Sequence, residues 1–73
     1  MPVTKANVHD VFTSHAPDED QVRRLHIVRT AAQQLAQEIL TEVPPCADQQ
    51  AALRLLREAV MTANAAIALK GVV

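Results

Sequence analysis

Two long stretches without glycine or proline dominate this chain. The first lies between Pro17 and Pro44, the second between Pro45 and Gly71. Proline and glycine are the residues that most disfavour a helix interior, so both stretches are free to be helical throughout. The same scarcity narrows the alternatives. With one glycine and one aromatic residue, Phe12, the chain lacks the turn formers and bulky inward residues of a sandwich, barrel or propeller. Its 73 residues allow one small domain, residues 1–73. The lone cysteine, Cys46, forms no internal disulfide, which excludes a stapled secreted scaffold. No apolar run approaches the ~18 residues of a membrane span, and no basic-then-apolar leader opens the chain. The expectation is a soluble, intracellular, all-α domain. At this size a private core rarely supplies more than ~3–5 kcal/mol, so a homo-oligomer is expected.

The prolines set the element boundaries. Residues 4–12 read as a short helix capped by Thr4, with Val8, Val11 and Phe12 on one side. Residues 13–17 read as a loop. Helix two is expected over 18–42. Asp18 is its N-cap, Gln21 completes a capping box, and Pro44-Pro45 stops it. Asp18, Glu19 and Asp20 place negative charge at the positive end of its dipole. Helix three is expected over 48–69, capped by Asp48 and stopped by Gly71. The short connection between them predicts an antiparallel hairpin. Both long helices are alanine-rich, which favours helix and permits close approach of the axes.

Successive residues lie ~100° apart around a helix axis. On that wheel Val22, Leu25, Val28, Ala32, Leu35, Ala36 and Ile39 form one apolar stripe. Ala52, Leu53, Leu56, Ala59, Val60, Ala63 and Ile67 form the other, and the two make the hairpin seam. Leu40, Leu55, Met61 and Leu69 fall off these stripes, which predicts contacts with further subunits. Arg29 sits within the stripe of helix two. It either snorkels or pairs with a carboxylate, or it faces an anionic ligand to which its planar fork is suited. Arg23, Arg24 and Arg29 share a window, Gln21 to Gln37, that holds no acidic residue, so the local field is expected to be positive.

Much chemistry is excluded. A single glycine forbids a phosphate-cradling glycine-rich loop. No carboxylate pair stands apart from ordinary surface charge. Cys46 has no evident histidine partner, and His9, His15 and His26 show no zinc-type spacing. No catalytic residue, metal site or cofactor is therefore expected. A net charge of −1 with scattered basic residues argues against duplex DNA as a partner.

The run Phe12-Thr-Ser-His15-Ala-Pro17, then Gln21, then Val28-Arg29-Thr-Ala31-Ala32, is followed after the prolines by Met61-Thr62-Ala63-Asn64-Ala65-Ala66-Ile67-Ala68. This pattern resembles the bacteriophage anti-CBASS cyclic-oligonucleotide sponges, whose hairpin domain is shared with the Thoeris-inhibiting sponge. The resemblance covers roughly Phe12 to Ala68. It implies a homohexamer that sequesters cyclic dinucleotides between protomers without cleaving them. In some members it also implies a separate cyclic trinucleotide site. The place of action implied is the cytoplasm of the infected bacterial host. Carried over to this chain, it implies ligand contacts from Ser14 and His15 in the loop and from Arg29 and Arg24 on helix two. Phe12 either stacks on a base or anchors the core, and Asn64 either binds ligand or joins the helices. Ser14 stands where the family often has a stacking tyrosine, and Thr62 where it often has a bulky aromatic. The competing reading is a small helical adaptor that docks a partner protein through its extra apolar faces.

Overall fold

The computed structural model describes residues 2–13 and 16–71. Three helices follow in order: α1 (Val8–Phe12), α2 (Glu19–Glu42) and α3 (Ala47–Ala68). Among the described residues there is no strand. The two long helices pack on each other as an antiparallel hairpin, and the backbone of α1 stands apart from both.

The expected first helix over 4–12 shortens to five residues. Thr4 does not cap it through its hydroxyl. Instead the Thr4 carbonyl accepts from the N–H groups of Asn7 (3.2 Å) and Val8 (2.8 Å), and the Thr4 N–H donates to Asn7 Oδ1 (2.7 Å). Asn7 is thus bonded into a turn, and the helix begins only at Val8. Such a short helix has little stability of its own. Its end is fixed by Thr13, whose hydroxyl donates to the His9 carbonyl.

α2 starts as its sequence requires. Asp18 is extended, its Oδ1 accepts from the Gln21 N–H (2.8 Å), and Gln21 Oε1 accepts from the Asp18 N–H (2.9 Å). This closes the capping box and satisfies two orphan donors. The helix stops at Glu42 because Val43 precedes a proline and must be extended, which it is (φ −92°, ψ 131°). α3 departs from expectation at its start. Its N-cap is Cys46, not Asp48: the Cys46 Sγ accepts from the Gln49 N–H at 3.4 Å. The helix begins at Ala47, and Cys46 before it is fully extended (φ −166°, ψ 176°). At the far end Gly71 N–H donates to Ala66 O (2.9 Å) and Lys70 N–H to Ile67 O (3.1 Å), a Schellman closure. The left-handed position in that motif falls on Lys70 (φ 53°), with Gly71 one residue beyond.

The seam is narrower than the wheel suggests. Leu25, Val28, Ala32, Ala36 and Ile39 of α2 and Leu53, Leu56, Val60, Ala63 and Ile67 of α3 are half-buried. Val22, Leu35 and Ala59, expected in the stripes, are exposed. One partner helix covers only a limited arc, and residues on the flanks of that arc stay in solvent. No hydrophobic side chain among the described residues is fully buried. The two residues that are buried are both glutamines, Gln21 (7% exposed) and Gln49 (4%).

Candidate ligand-binding site

The two buried glutamines occupy the same place in their helices, three residues after the N-cap. Each turns its amide toward the C-terminal end of the neighbouring helix. Gln21 Nε2 donates to Ile67 O (3.0 Å) and Ala68 O (3.2 Å), and Gln49 Nε2 donates to Val43 O (3.1 Å). Intrahelical donors run out at the C-terminal end of a helix, and these bonds supply further ones there; Ile67 O also accepts from the Lys70 N–H. Each end of the hairpin is thereby stitched, and the grooves between the helices have fixed walls.

One such groove, of about 520 Å³, runs along the middle of the hairpin. Ala32, Ala36, Leu53 and Val60 contribute to its apolar floor, while Arg29 and Arg57 bring two guanidinium groups to it from opposite helices. No carboxylate lines it, and neither arginine forms an ion pair among the described residues. Unpaired guanidinium groups beside a low-dielectric surface attract an anion that carries apolar bulk, and their planar forks match phosphate oxygens. Arg29 therefore lies at the rim of the seam, in solvent. Arg57 is a functional candidate that sequence reasoning missed. Its signal was available: four residues before Met61 and four after Leu53, it faces the same flank as both.

Arg24 is placed differently. Its Nε lies 2.7 Å from Asp20 Oδ2, and Arg23 reaches the other oxygen of the same carboxylate at 2.8 Å. These two guanidinium hydrogen bonds, from Arg24 first and Arg23 second, hold the Asp20 carboxyl below the usual carboxylate range. Reciprocally, Asp20 raises Arg24. The positive field expected from Arg23, Arg24 and Arg29 is thus offset by Asp20 at the first two of them. Asp20 sits one residue outside that window and pairs with the first two arginines at helical i,i+3 and i,i+4 spacing. Arg24 lines grooves near the start of α2, with Gln21 and Ile67, away from the groove of Arg29.

The remaining candidates are dispersed within one chain. Phe12 is 80% exposed, so it does not anchor a core within the chain. Asn64 is half-buried in α3, and its Oδ1 is shut off from solvent with no hydrogen-bond donor among the described residues. Ser14 and His15 lie outside the described residues. A groove lined by Val11, Ala16, Asp18, Leu69 and Lys70 lies between the chain before α2 and the end of α3. Lys70, another residue the sequence did not single out, reaches Asp18 Oδ2 at 3.2 Å. The Gln21 N–H, followed by Lys70, holds the Asp18 carboxyl below its ordinary value. Among the described residues no group of His, Cys, Asp and Glu is placed to hold a metal ion. No helix among them is long and apolar enough to cross a membrane.

Comparison with known proteins agrees with the hairpin. A family model described as "Acb2/Tad1, hairpin domain" matches residues 4–68. No curated protein and no solved structure gives a significant match. The match spans both long helices, the stitched ends and the arginine-rimmed groove. The chain belongs to the Acb2/Tad1 hairpin-domain family, the anti-CBASS and Thoeris sponges.

Proposed function

We propose that this protein is a sponge for cyclic dinucleotide immune signals, which it holds uncleaved in the cytoplasm of an infected bacterial cell. The observation that carries the reading is the family match over residues 4–68. Its physical support is the groove in which Arg29 and Arg57 flank an apolar floor. A cyclic dinucleotide presents two phosphates and two flat bases. The guanidinium groups meet the phosphates, and the exposed Phe12 ring offers a surface for a base. With serine at position 14 in place of the family's frequent tyrosine, Phe12 is the one aromatic ring the chain supplies for stacking. Because Phe12, Arg24 and Arg29 do not converge within one chain, the complete site is built between protomers of a homo-oligomer, the hexamer of the family. A cyclic trinucleotide is a second candidate ligand. No catalytic group is required, because a sponge acts by mass action: abundant copies bind the signal before its effector does.

The reading is tested by calorimetry with a panel of cyclic di- and trinucleotides, followed by chromatography of the recovered ligand. Binding with intact ligand is expected. If no member of the panel gives heat or a thermal shift, the sponge reading fails. Exposed Leu40, Leu55 and Met61 would then favour a protein-docking adaptor. Arg29→Ala and Arg57→Ala should each weaken binding by about 1–3 kcal/mol, the usual cost of losing a hydrogen bond to a charged group. Arg24→Ala should cost less, since Asp20 already occupies that guanidinium.

A further inference from the structure

The two glutamine stitches are chemically alike, but they secure different things. Gln49 closes a place that is already closed, because its acceptor Val43 is joined to α3 by the short Pro44-Pro45 turn. Gln21 works at the open end of the hairpin, where no covalent link holds α2 to α3. Its amide bridges three points of the backbone there: Oε1 takes the Asp18 N–H, and Nε2 reaches Ile67 O and Ala68 O. Asp18 is also where everything that precedes α2 enters the hairpin. The backbone of α1 itself stands apart from both long helices. A second tie across this junction among the described residues is the solvent-exposed Asp18–Lys70 pair at 3.2 Å, with side chains 51% and 69% exposed. An exposed pair of this kind fixes little.

We propose that Gln21 is a positioning residue for ligand capture, one that holds the entry to α2, residues 16–18, in register with the C-terminal end of α3. The proposal rests on the sponge reading for its ligand, and on the buried bridge for its geometry. Gln21 touches no ligand itself. By pre-ordering that entry it removes part of the ordering cost of binding.

The paired variants Gln21→Glu and Gln49→Glu test it. Each keeps an acceptor at the third helical position, and each gains the same favourable charge near a helix N-terminus. Each also replaces the Nε2 donor with an oxygen that faces carbonyl oxygens. Thermal stability, affinity for cyclic dinucleotides and amide hydrogen exchange are measured for both and for the wild type. Gln21→Glu is expected to lose affinity by about tenfold or more, the effect of an unordered binding segment. It should also speed exchange at Thr13, Ala16 and Asp18. Gln49→Glu is expected to lose stability while keeping wild-type affinity and wild-type exchange at those three amides. Equal affinities for the two variants, alongside a wild type that binds, would overturn the proposal. A wild type that binds no cyclic dinucleotide defeats the sponge reading instead. The exchange comparison then decides the positioning role alone, and unchanged exchange in Gln21→Glu overturns it. If Gln21→Glu does not fold, the uncharged Gln21→Met is measured in the same way.

Discussion

A buried carbonyl oxygen without a donor is costly, and Asn64 carries one. The side chain lies among the half-buried residues of α3, one turn after Val60 and just before Ile67. Replacing it with leucine removes the unsatisfied atom and adds apolar contact in a seam that has little. Asn64→Leu should therefore stabilise the folded chain by about 1–3 kcal/mol, the desolvation penalty relieved. Denaturant unfolding measures this directly, and a destabilised variant would show that Oδ1 is satisfied in the native assembly. A second residue-scale outcome concerns acid. Asp18 is held ionised mainly by the Gln21 N–H and then by Lys70, and Asp20 by Arg24 and then Arg23. Both carboxyls titrate lower in the folded chain than in the unfolded one. Their stabilising contribution is complete above the unfolded value of ~3.9 and is lost as pH falls through the folded value. Tm should hold between pH 7 and 5 and fall below about pH 4, the range those values define. Asp18→Asn can still cap but no longer pairs with Lys70, so it should flatten the acid limb. An unchanged limb would mean that other carboxylates govern it.

At the scale of the elements, the caps decide where helices begin and end. α3 begins with a cysteine, a weak acceptor whose Sγ lies 3.4 Å from the Gln49 N–H. Serine presents a harder oxygen at the same place, so Cys46→Ser should stabilise α3 by roughly 0.5–1 kcal/mol, within the span of N-cap effects. Thermal unfolding checks it, and a loss of stability would imply that the thiol packs rather than caps. This start also shows what the sequence makes legible. The hairpin was readable because prolines and glycine punctuate two uninterrupted stretches, and the Asp18–Gln21 box because its spacing is diagnostic. Asp48 was the better cap by residue type. Cys46 takes the cap because it is the extended residue from which the helix begins. The short first helix was misjudged because the Asn7 side chain closes a turn with Thr4, a local competition that periodicity does not register. The buried glutamines escaped notice for a similar reason. Polar residues at a third helical position look like caps, and only the antiparallel partner reveals the carbonyls they reach. Of the site, Arg29 stood out because it interrupts an apolar stripe. Arg57 did not, because it lies on a flank, and the pairing of Arg24 with Asp20 required looking one residue beyond the window considered.

For the whole molecule, surface is the governing quantity. The chain is a flat rod of 46 × 27 × 17 Å with a radius of gyration of 15.2 Å. A compact domain of this length would measure about 11 Å. Its accessible surface is 5728 Å² for 7.9 kDa. A folded monomer of that mass exposes about 4,400 Å². The excess, on the order of 1,300 Å², exceeds the ~800 Å² that each partner contributes to an interface of standard size. The apolar residues left in solvent include Val22, Leu35, Leu40, Leu55 and Met61, which lie on both flanks of the hairpin and on its outer face. A chain with no fully buried hydrophobic residue among those described gains little from folding alone, and the proposed association would complete its core. Stability should then depend on concentration, because subunit binding stabilises the folded state by mass action. Tm is expected to rise steadily as protein concentration is raised from about 1 to 100 μM, while light scattering reports an assembly larger than a dimer. Met61→Lys, which charges the flank beside the arginine-rimmed groove, and Leu55→Lys, which charges the opposite one, separate the two faces. Whichever face is the larger interface should yield the smaller assembly and the lower Tm when charged. A Tm independent of concentration, with a monomer at every concentration tested, would mean that the hairpin is stable on seam and caps alone.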